Sequence, residues 1–473
     1  MVSLGRIWAG GRTVALYERR NTVFSYSIKE ICAAVGGTLL QDCDTALTAV
    51  TTDSRKVSPG ELFIPLVGER FNGHDYQESA LNDGADACLT ARKPEKLLEG
   101  KGYVLVEDTM AALKALATWH RENCDIPFVQ VTGSAGKTTT KEMVAAVLSR
   151  RFRTHKTHAN LNNQIGTPLT LLEISPEDQA AVIETGMDHF GEIRYMGEMV
   201  QPDIAVITNV GDAHVENLGN TRLGVLKAKC EIFENLRPGG IAVLNGDDEL
   251  LRNVTLQNND IIFCGRGENC TVRVTEVEEL GIEGLRCTVT TPHHVYRVHV
   301  TTPGGYMIYP AAMSVAIGEY LGLTDEEIAA GITDYRPVGS RMHLIRMSDD
   351  RLIIDDCYNA NPQSMAEALR LLAATPCDHR LAILGDMKEL GELSDDAHRR
   401  IGELTAELGI DTVIAIGDKA KYMTEMNTKA YWFATVEESM DTVRRQFTAG
   451  TAALVKASHS MAFERITEEL EKQ

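Results

Sequence analysis

The sequence predicts an α/β protein of three domains, the second and third built on mostly parallel sheets. Three observations lead there. At 473 residues the chain is about three times the usual domain length. From Pro127 onward, strand-like, loop-like and helix-like stretches alternate, the pattern of a parallel sheet covered by helices on both faces. After YRPVGSR (335–341) a second alternating region begins.

Residues 1–25 carry scattered basic residues and no continuous apolar core. They make a poor signal peptide and are expected to be a short N-terminal extension. Residues 26–108 form the first domain, in which the strand-like runs GELFIPLV, ACLTA and GYVLVED sit among glycine-rich turns. The helical stretch TMAALKALATWHREN opens the central domain, 109–337. There PFVQVTG, AAVIETG, DIAVITNV, GGIAVLNGD and NDIIFCG read as strands, and KTTTKEMVAAVLSRR reads as a helix. Residues 270–300 alternate and carry turn glycines, which predicts an antiparallel appendage. In the C-terminal domain, 338–473, LIIDD, LAILGD, TVIAIGD and AALVKAS read as buried strands. Polar residues gather at their carboxyl ends, where open α/β sheets bind ligands.

Composition narrows the function. The net charge of −20 argues against nucleic-acid binding, which calls for a basic patch. No run of 18 apolar residues exists, so no membrane span is expected. The ten cysteines are scattered, without a CxxC pair, which argues against a zinc or redox site and for a reduced, cytoplasmic setting.

The stretch VTGSAGKTTT (131–140) resembles a phosphate loop but is two residues short of G-x-x-x-x-G-K-[ST], because the first glycine is Gly133. Its context, between a strand and a helix, suits phosphate binding by loop N–H groups at a helix N-terminus. The bland alternative is a plain glycine turn before a helix. In the phosphate reading Gly133, Ser134, Ala135, Gly136 and Thr139 shape the cradle, Lys137 reaches the terminal phosphates, and Thr138 ligates magnesium. Further oxygen or nitrogen ligands would come from Glu184, which closes the apolar run of AAVIETG, and His214, the last residue of ITNVGDAH. Lys227 and Lys229 lie on a helix-like stretch, and side-chain chemistry alone does not separate a solvated face from a site there.

The loop T-G-x-x-G-K-T-T resembles that of the Mur ligases and their folylpolyglutamate synthetase relatives. TTDSRKVSPGELFIPLVGERFNGHDY (51–76) is similar to the UDP-binding domain of that family. NLNNQIGTPLTLL (160–172), ETGMDHFGEI (184–193) and ITNVGDAHVENLGN (207–220) are similar to its central ATPase domain. YRPVGSRM (335–342), IIDDCYNANPQSM (353–365) and LGDMKELGELSDDAH (384–398) follow in the family's order. The last two resemble the branch that adds D-alanyl-D-alanine to UDP-N-acetylmuramoyl-tripeptide.

The resemblance implies a small α/β UDP-binding domain, a central P-loop ATPase domain and a C-terminal Rossmann-like α/β domain. It implies ATP-driven amide formation through an acyl phosphate, with ATP and two Mg²⁺ ions as cofactors, and UDP-muramyl-tripeptide and D-alanyl-D-alanine as partners of a monomer. By resemblance, Lys137 and Thr138 hold the β- and γ-phosphates and one Mg²⁺. Glu184 and His214 ligate magnesium, and Lys229 matches a lysine that carries a carbamate in many members. Arg341 reaches ATP from the domain junction; its alternative is an inter-domain salt bridge. Asp356 binds the ribose, with Tyr358 and Asn359 near the nucleotide or acceptor. Asn162 and Asn163 lie in the central cleft. Ser54 and Arg55 belong to the uridine-diphosphate pocket, with Gly73 and His74 in a supporting loop, where His74 reads equally as a structural histidine.

LVKASHSM (454–461), with Lys456 and Ser458, matches a motif bordering the dipeptide site, but Ala457 and His459 stand where relatives carry glycine and arginine. A histidine there gives up the guanidinium fork. Tyr306 and Pro310 stand where relatives carry a histidine and an adenine-reading asparagine, and Thr185 where methionine is common. Two other readings follow: a paralogous ligase joining another carboxylate and amine, and a nucleotide-dependent switch without ligase activity.

Overall fold

The computed structural model describes residues 25–68, 71–388, 390–426 and 429–472. Residues 1–24, most of the expected extension, lie outside the described residues. Three sheets of five, nine and six strands follow one another along the chain.

The first sheet is built from β1 (Thr38–Gln41), β2 (Ala49–Thr51), β3 (Glu61–Phe63), β4 (Ala87–Thr90) and β5 (Gly102–Leu105), with helices α1 (Ile28–Ala34) and α2 (Gln77–Asp83). The order is β1-β5-β4-β3-β2, parallel except for β1 against β5. Ser27 and Glu30 form a reciprocal capping box that starts α1. Helix α3 (Thr109–Glu122) touches α1 and β4 of this unit and also the central unit's helices, so its buried Leu113 and Leu116 belong to a core shared by both units. Two residues lock its C-terminal end. The buried Arg121 guanidinium donates to the Val200, Gln201 and Cys124 carbonyls and lies 3.6 Å from the Phe128 ring centroid. His120 Nε2 donates to the Ile174 carbonyl, and its Nδ1 accepts from the Tyr26 hydroxyl.

The central sheet comprises β6 (Phe128–Thr132), β7 (Thr154–Lys156), β8 (Ala180–Glu184), β9 (Ile204–Ile207), β10 (Ile241–Asn245), β11 (Asp260–Gly265), β12 (Val272–Glu279), β13 (Leu285–Thr290) and β14 (Val295–Val300). Its helices are α4 (Lys137–Leu148), α5 (Gly166–Leu172), α6 (Glu192–Val200), α7 (Arg222–Cys230), α8 (Ile308–Tyr320) and α9 (Asp325–Asp334). Strands β6, β8, β9 and β10 are buried on both faces because both are covered. Ala181, Ile183, Ala205 and Ile207 pack into the core that holds α5, α6 and α7 residues. Ala180, Val182, Ile204 and Val206 pack with α4, α8 and α9 residues into a second core. The expected antiparallel segment, β12 to β14, continues this same sheet through a short parallel pairing of β11 with β12. The turn after β12 projects onto the C-terminal unit: Ile282 packs against that unit's core, and Glu283 pairs with Arg346 at 2.5 Å.

The third sheet holds β15 (His343–Arg346), β16 (Leu352–Asp355), β17 (His379–Gly385), β18 (Thr412–Ile416), β19 (Ala430–Phe433) and β20 (Thr451–Lys456), in the order β15-β16-β20-β17-β18-β19. Helices α10 (Pro362–Ala374), α11 (Ser394–Glu407), α12 (Val436–Gln446) and α13 (Glu464–Leu470) cover its two faces. Strand β15 runs antiparallel at one edge, and β19 closes the other with Tyr431 and Trp432 half-exposed. Strands β15 (HLIR) and β7 (THK) do not stand out in the sequence because they are short and carry charged or polar residues, and β19 (AYWF) is an apolar run of only four residues.

Three histidines, His120 and His398 buried and His155 half-buried, brace these units as neutral rings. Besides His120, His155 donates from Nε2 to the Thr170 carbonyl, and His398 donates from Nδ1 to the Ser394 carbonyl while Nε2 accepts from Met387 N–H. Burial lowers all three from the ordinary value of 6.5. The unfolded chain therefore binds protons at a pH where the folded one does not, so stability is complete above about pH 6.5 and falls as pH drops below it. Urea melts at pH 7.5 and 5.5 should show a lower midpoint at 5.5, with part of the difference removed in His398→Gln.

Candidate active site

The phosphate loop takes its position from strand order. Strand β6 lies between β9 and β8, and the chain runs to opposite sides of it, so the loop after β6 opens at a topological switch point. Gly136 adopts a left-handed conformation (φ 76°) as the N-cap of α4, and Lys137 and Thr138 begin the helix. A Cβ on Gly133 would stand 1.9 Å from Thr208 Oγ1, so the loop runs against the end of β9 at a distance only glycine permits. Asn209 Oδ1 accepts from the amides of Ser134 (3.1 Å) and Ala135 (2.8 Å). Thr208 donates to the Ala135 carbonyl, Gly211 N–H donates to Ser134 Oγ, and Lys137 Nζ donates to the Gly133 carbonyl at 2.8 Å. Thr208 and Asn209 were absent from the candidates read off the sequence; their place in ITNVGDAH, at the next strand end, is the signal that marks them.

Of the two candidates beside the loop, Glu184 ends β8, and His214 lies in the connection between β9 and α7. Glu184, at the end of β8, is buried. Asn162 Nδ2 donates to its Oε1 at 2.9 Å, while its Oε2 accepts no hydrogen bond and lies 3.8 Å from the buried Lys141 Nζ. Lys141, a further residue missed in the sequence, also donates to the Thr157 carbonyl and pairs with Glu142. Asn163 turns away to cap α5, its Oδ1 accepting from the amides of Ile165 and Gly166. His214, in the left-handed region (φ 61°), sets Nδ1 3.0 Å from Asp188 Oδ1. A histidine held there stores strain of the kind functional sites keep. Lys229, on α7, is 2% exposed and has no hydrogen bond or ion pair among the described residues. Burial, then the nearby Lys137 ammonium, pushes its amine well below the ordinary lysine range.

A second group of candidates meets at the junction with the C-terminal sheet. Lys456, buried at the end of β20, donates to Asp356 Oδ2 (2.5 Å), the Asn359 carbonyl (2.9 Å) and the Asp356 carbonyl (3.3 Å). An ammonium has three donors, so here Lys456 acts on the 356–359 loop. Asp356 Oδ1 accepts from Met342 N–H, and the Arg341 guanidinium lies 3.7 Å from the Tyr358 ring centroid. Arg341 makes no salt bridge among the described residues. Asn359 Oδ1 accepts from Ala360 N–H. Ser458 is buried, its Oγ accepting from Lys388 N–H. Tyr306 reaches this junction from the central unit: burial and then the Asp356 charge raise its hydroxyl well above the ordinary tyrosine value. Pro310 is buried in the first turn of α8, where the missing N–H costs nothing.

The first-unit candidates stand apart. Ser54 is half-buried, and Arg55 is exposed and forks onto Asp53 through Nε and Nη2. His74 braces its own loop, with Nδ1 on Asn72 Oδ1 and Nε2 accepting from Ala91 N–H, the structural alternative foreseen for it. Gly73 is buried against Leu66. Among the described residues, no hydrogen bond joins these side chains to the phosphate loop. A groove of about 720 Å³ lies along α3 beside Ala34, Lys114, Trp119 and Tyr195. It lacks the convergent polar groups of the strand ends, so chemistry rather than volume locates the site.

Replacing Gly133 with alanine should weaken ADP binding about 10²-fold by calorimetry, because the loop must shift by an ångström or more. Adding Thr208→Ala, which removes the nearest clashing atom, should recover part of that loss.

Comparison with known proteins agrees with this geometry. Three family models match in order: Mur ligase family, catalytic domain, over residues 46–161; Mur ligase middle domain over 131–318; and Mur ligase, glutamate ligase domain over 340–459. UDP-N-acetylmuramoyl-tripeptide--D-alanyl-D-alanine ligase of Bacillus subtilis (strain 168) is 34% identical over 453 residues, covering 94% of this chain and 98% of that protein. The crystal structure of MurF from Acinetobacter baumannii superposes with a TM-score of 0.87 at 31% identity, covering 95% of this chain and 99% of that one. MurF ligase from Thermotoga maritima in complex with ADP gives 0.79 at 28% identity, covering 90% and 97%. From end to end of the three sheets, the chain belongs to the Mur ligase family.

Proposed function

We infer that this protein is an ATP-dependent ligase that joins D-alanyl-D-alanine to UDP-N-acetylmuramoyl-tripeptide, forming the UDP-muramyl-pentapeptide used in peptidoglycan synthesis. The shortened phosphate loop, flanked by β8 with the buried Glu184 at its end and by β9 leading toward His214, carries the ATP-driven chemistry. The full-length likeness to relatives bearing that name carries the substrates. Among the described residues no helix is long and apolar enough to cross a membrane. We take the enzyme to work as a cytoplasmic monomer without nucleic acid.

The tripeptide carboxylate attacks the γ-phosphorus of ATP, forming the acyl C–O–P linkage as the bond to ADP breaks. The dipeptide amine then attacks the acyl carbon, loses a proton, and expels inorganic phosphate. The chain's task is to hold these groups in line and offset charge. In our reading the amides of Ser134 and Ala135, now on Asn209, and the Lys137 ammonium, now on Gly133, turn to the phosphates. Arg341 and Asp356 meet the nucleotide from the junction; Asn162 orients Glu184. Tyr358, Asn359 and the strand end at Lys456 and Ser458 border the acceptor site, and Ser54 and Arg55 serve the UDP end. Glu184 fits a magnesium role, because its buried Oε2 lacks a hydrogen-bond donor and a cation would satisfy it. Thr138, Glu184 and His214 would hold Mg²⁺, which supplies charge neutralisation at the transferring phosphate.

Lys229 is proposed to carry a carbamate, formed as its neutral amine adds to carbon dioxide and releases a proton. Burial without a counter-ion favours that neutral amine. The product is an anion that would relieve the repulsion from Lys137.

Incubation with ATP, Mg²⁺, the UDP-muramyl-tripeptide and D-alanyl-D-alanine should release phosphate only when both acceptor and dipeptide are present, with the pentapeptide mass as product. Turnover only with another amine would give the role to a paralogous ligase reaction, and no turnover with any pair would favour a binding protein. Lys229→Ala should lower kcat by about 10²-fold or more, with partial rescue by formate or acetate. Full activity in this variant would eliminate the carbamate.

A further inference from the structure

We propose that His459 is a positioning residue for nucleotide binding, acting through the Tyr358 ring on Arg341. The imidazole of His459 stacks on the Tyr358 ring with centroids 5.1 Å apart and planes 28° from parallel. The Arg341 guanidinium lies 3.7 Å from the centroid of that same ring. Among the described residues, neither the guanidinium nor the Tyr358 hydroxyl has a hydrogen bond or ion pair. The arginine's direction therefore depends on an aromatic platform, and the platform's direction depends on what packs against it. At its backbone, Tyr358 N–H donates to the Ser340 carbonyl, beside Arg341. The His459 ring holds the side chain. His459 itself is exposed, three residues beyond Lys456, which ties down the 356–359 loop. The end of β20 thus fixes this loop twice: Lys456 fixes the backbone, and His459 fixes the ring that presents the arginine. A flat ring serves that purpose without bearing a charge, so the residue at 459 acts by shape and stacking.

The inference rests on Arg341 meeting ATP in the proposed reaction. Steady-state kinetics on the full chain, with ADP titrations by calorimetry, test it. His459→Ala should raise KM for ATP and Kd for ADP about five- to tenfold, a larger factor than any accompanying change in KM for D-alanyl-D-alanine. His459→Phe, which keeps a ring and loses the titratable group, should restore the nucleotide constants. His459→Ala and Arg341→Ala combined should be no worse toward ADP than Arg341→Ala alone. The proposal is overturned if KM for ATP and Kd for ADP stay unchanged in His459→Ala, if only the dipeptide constant moves, or if His459→Arg restores nucleotide binding while Phe does not. Should the alanine variant fail to fold, the contrast of His459→Phe with His459→Leu, similar in bulk but without a ring, decides by the same ADP constants. A parent enzyme that releases no phosphate with both substrates present would instead defeat the proposed function; the ADP titrations would still read the stack.

Discussion

Everything at the catalytic end of this molecule depends on one piece of sheet order, β6 held between β9 and β8. That order lets a loop two residues shorter than the common phosphate loop keep its shape. The support comes from the side: Asn209 takes two loop amides, Thr208 takes a loop carbonyl, and Gly133 leaves the space they occupy. The same order places Glu184 on the other side of the loop. A parallel sheet with β6 at its edge could offer only one of these neighbours.

The parts of the site that were legible in the sequence are those marked by local pattern. Gly133 to Thr139 lie between an apolar strand and a helix. Glu184 and His214 follow apolar runs, and strand ends are where open sheets gather polar ligand groups. The parts that were not legible depend on which strand lies beside which. Asn209 and Lys141 look like ordinary polar residues until β9 and β8 are placed next to β6. In the sequence Lys456 reads as part of a motif bordering the dipeptide site; its burial and three carbonyl or carboxylate partners also make it the fastener of a loop 100 residues earlier. Edge strand β15 is illegible for a related reason: HLIR is short and is bounded by a histidine and an arginine that stay exposed.

The three units are joined by different physics. The first and central units share α3 and a continuous apolar core, reinforced by a buried guanidinium on three carbonyls. The central and C-terminal units meet more sparingly, at the Ile282 turn, the Glu283–Arg346 pair, and the cluster of Arg341, Tyr358 and Asp356. Nucleotide chemistry is assigned on both sides of this second junction. A junction with a small apolar contact and polar, exchangeable partners suits an enzyme that must admit two substrates and then exclude water.

The order of the C-terminal sheet has a consequence for biosynthesis. Strand β20 lies between β16 and β17, yet it is the last of the six to be made. Until residues 451–456 leave the ribosome, β16 and β17 have no partner between them, and Ile353, Ile383 and their neighbours stay uncovered. The first two units can fold as they emerge, while this one waits for its middle strand and then closes in a single late event. The segment that completes the sheet also delivers Lys456, with His459 just beyond it, so the 356–359 loop at the junction is tied down only when the middle strand is in place.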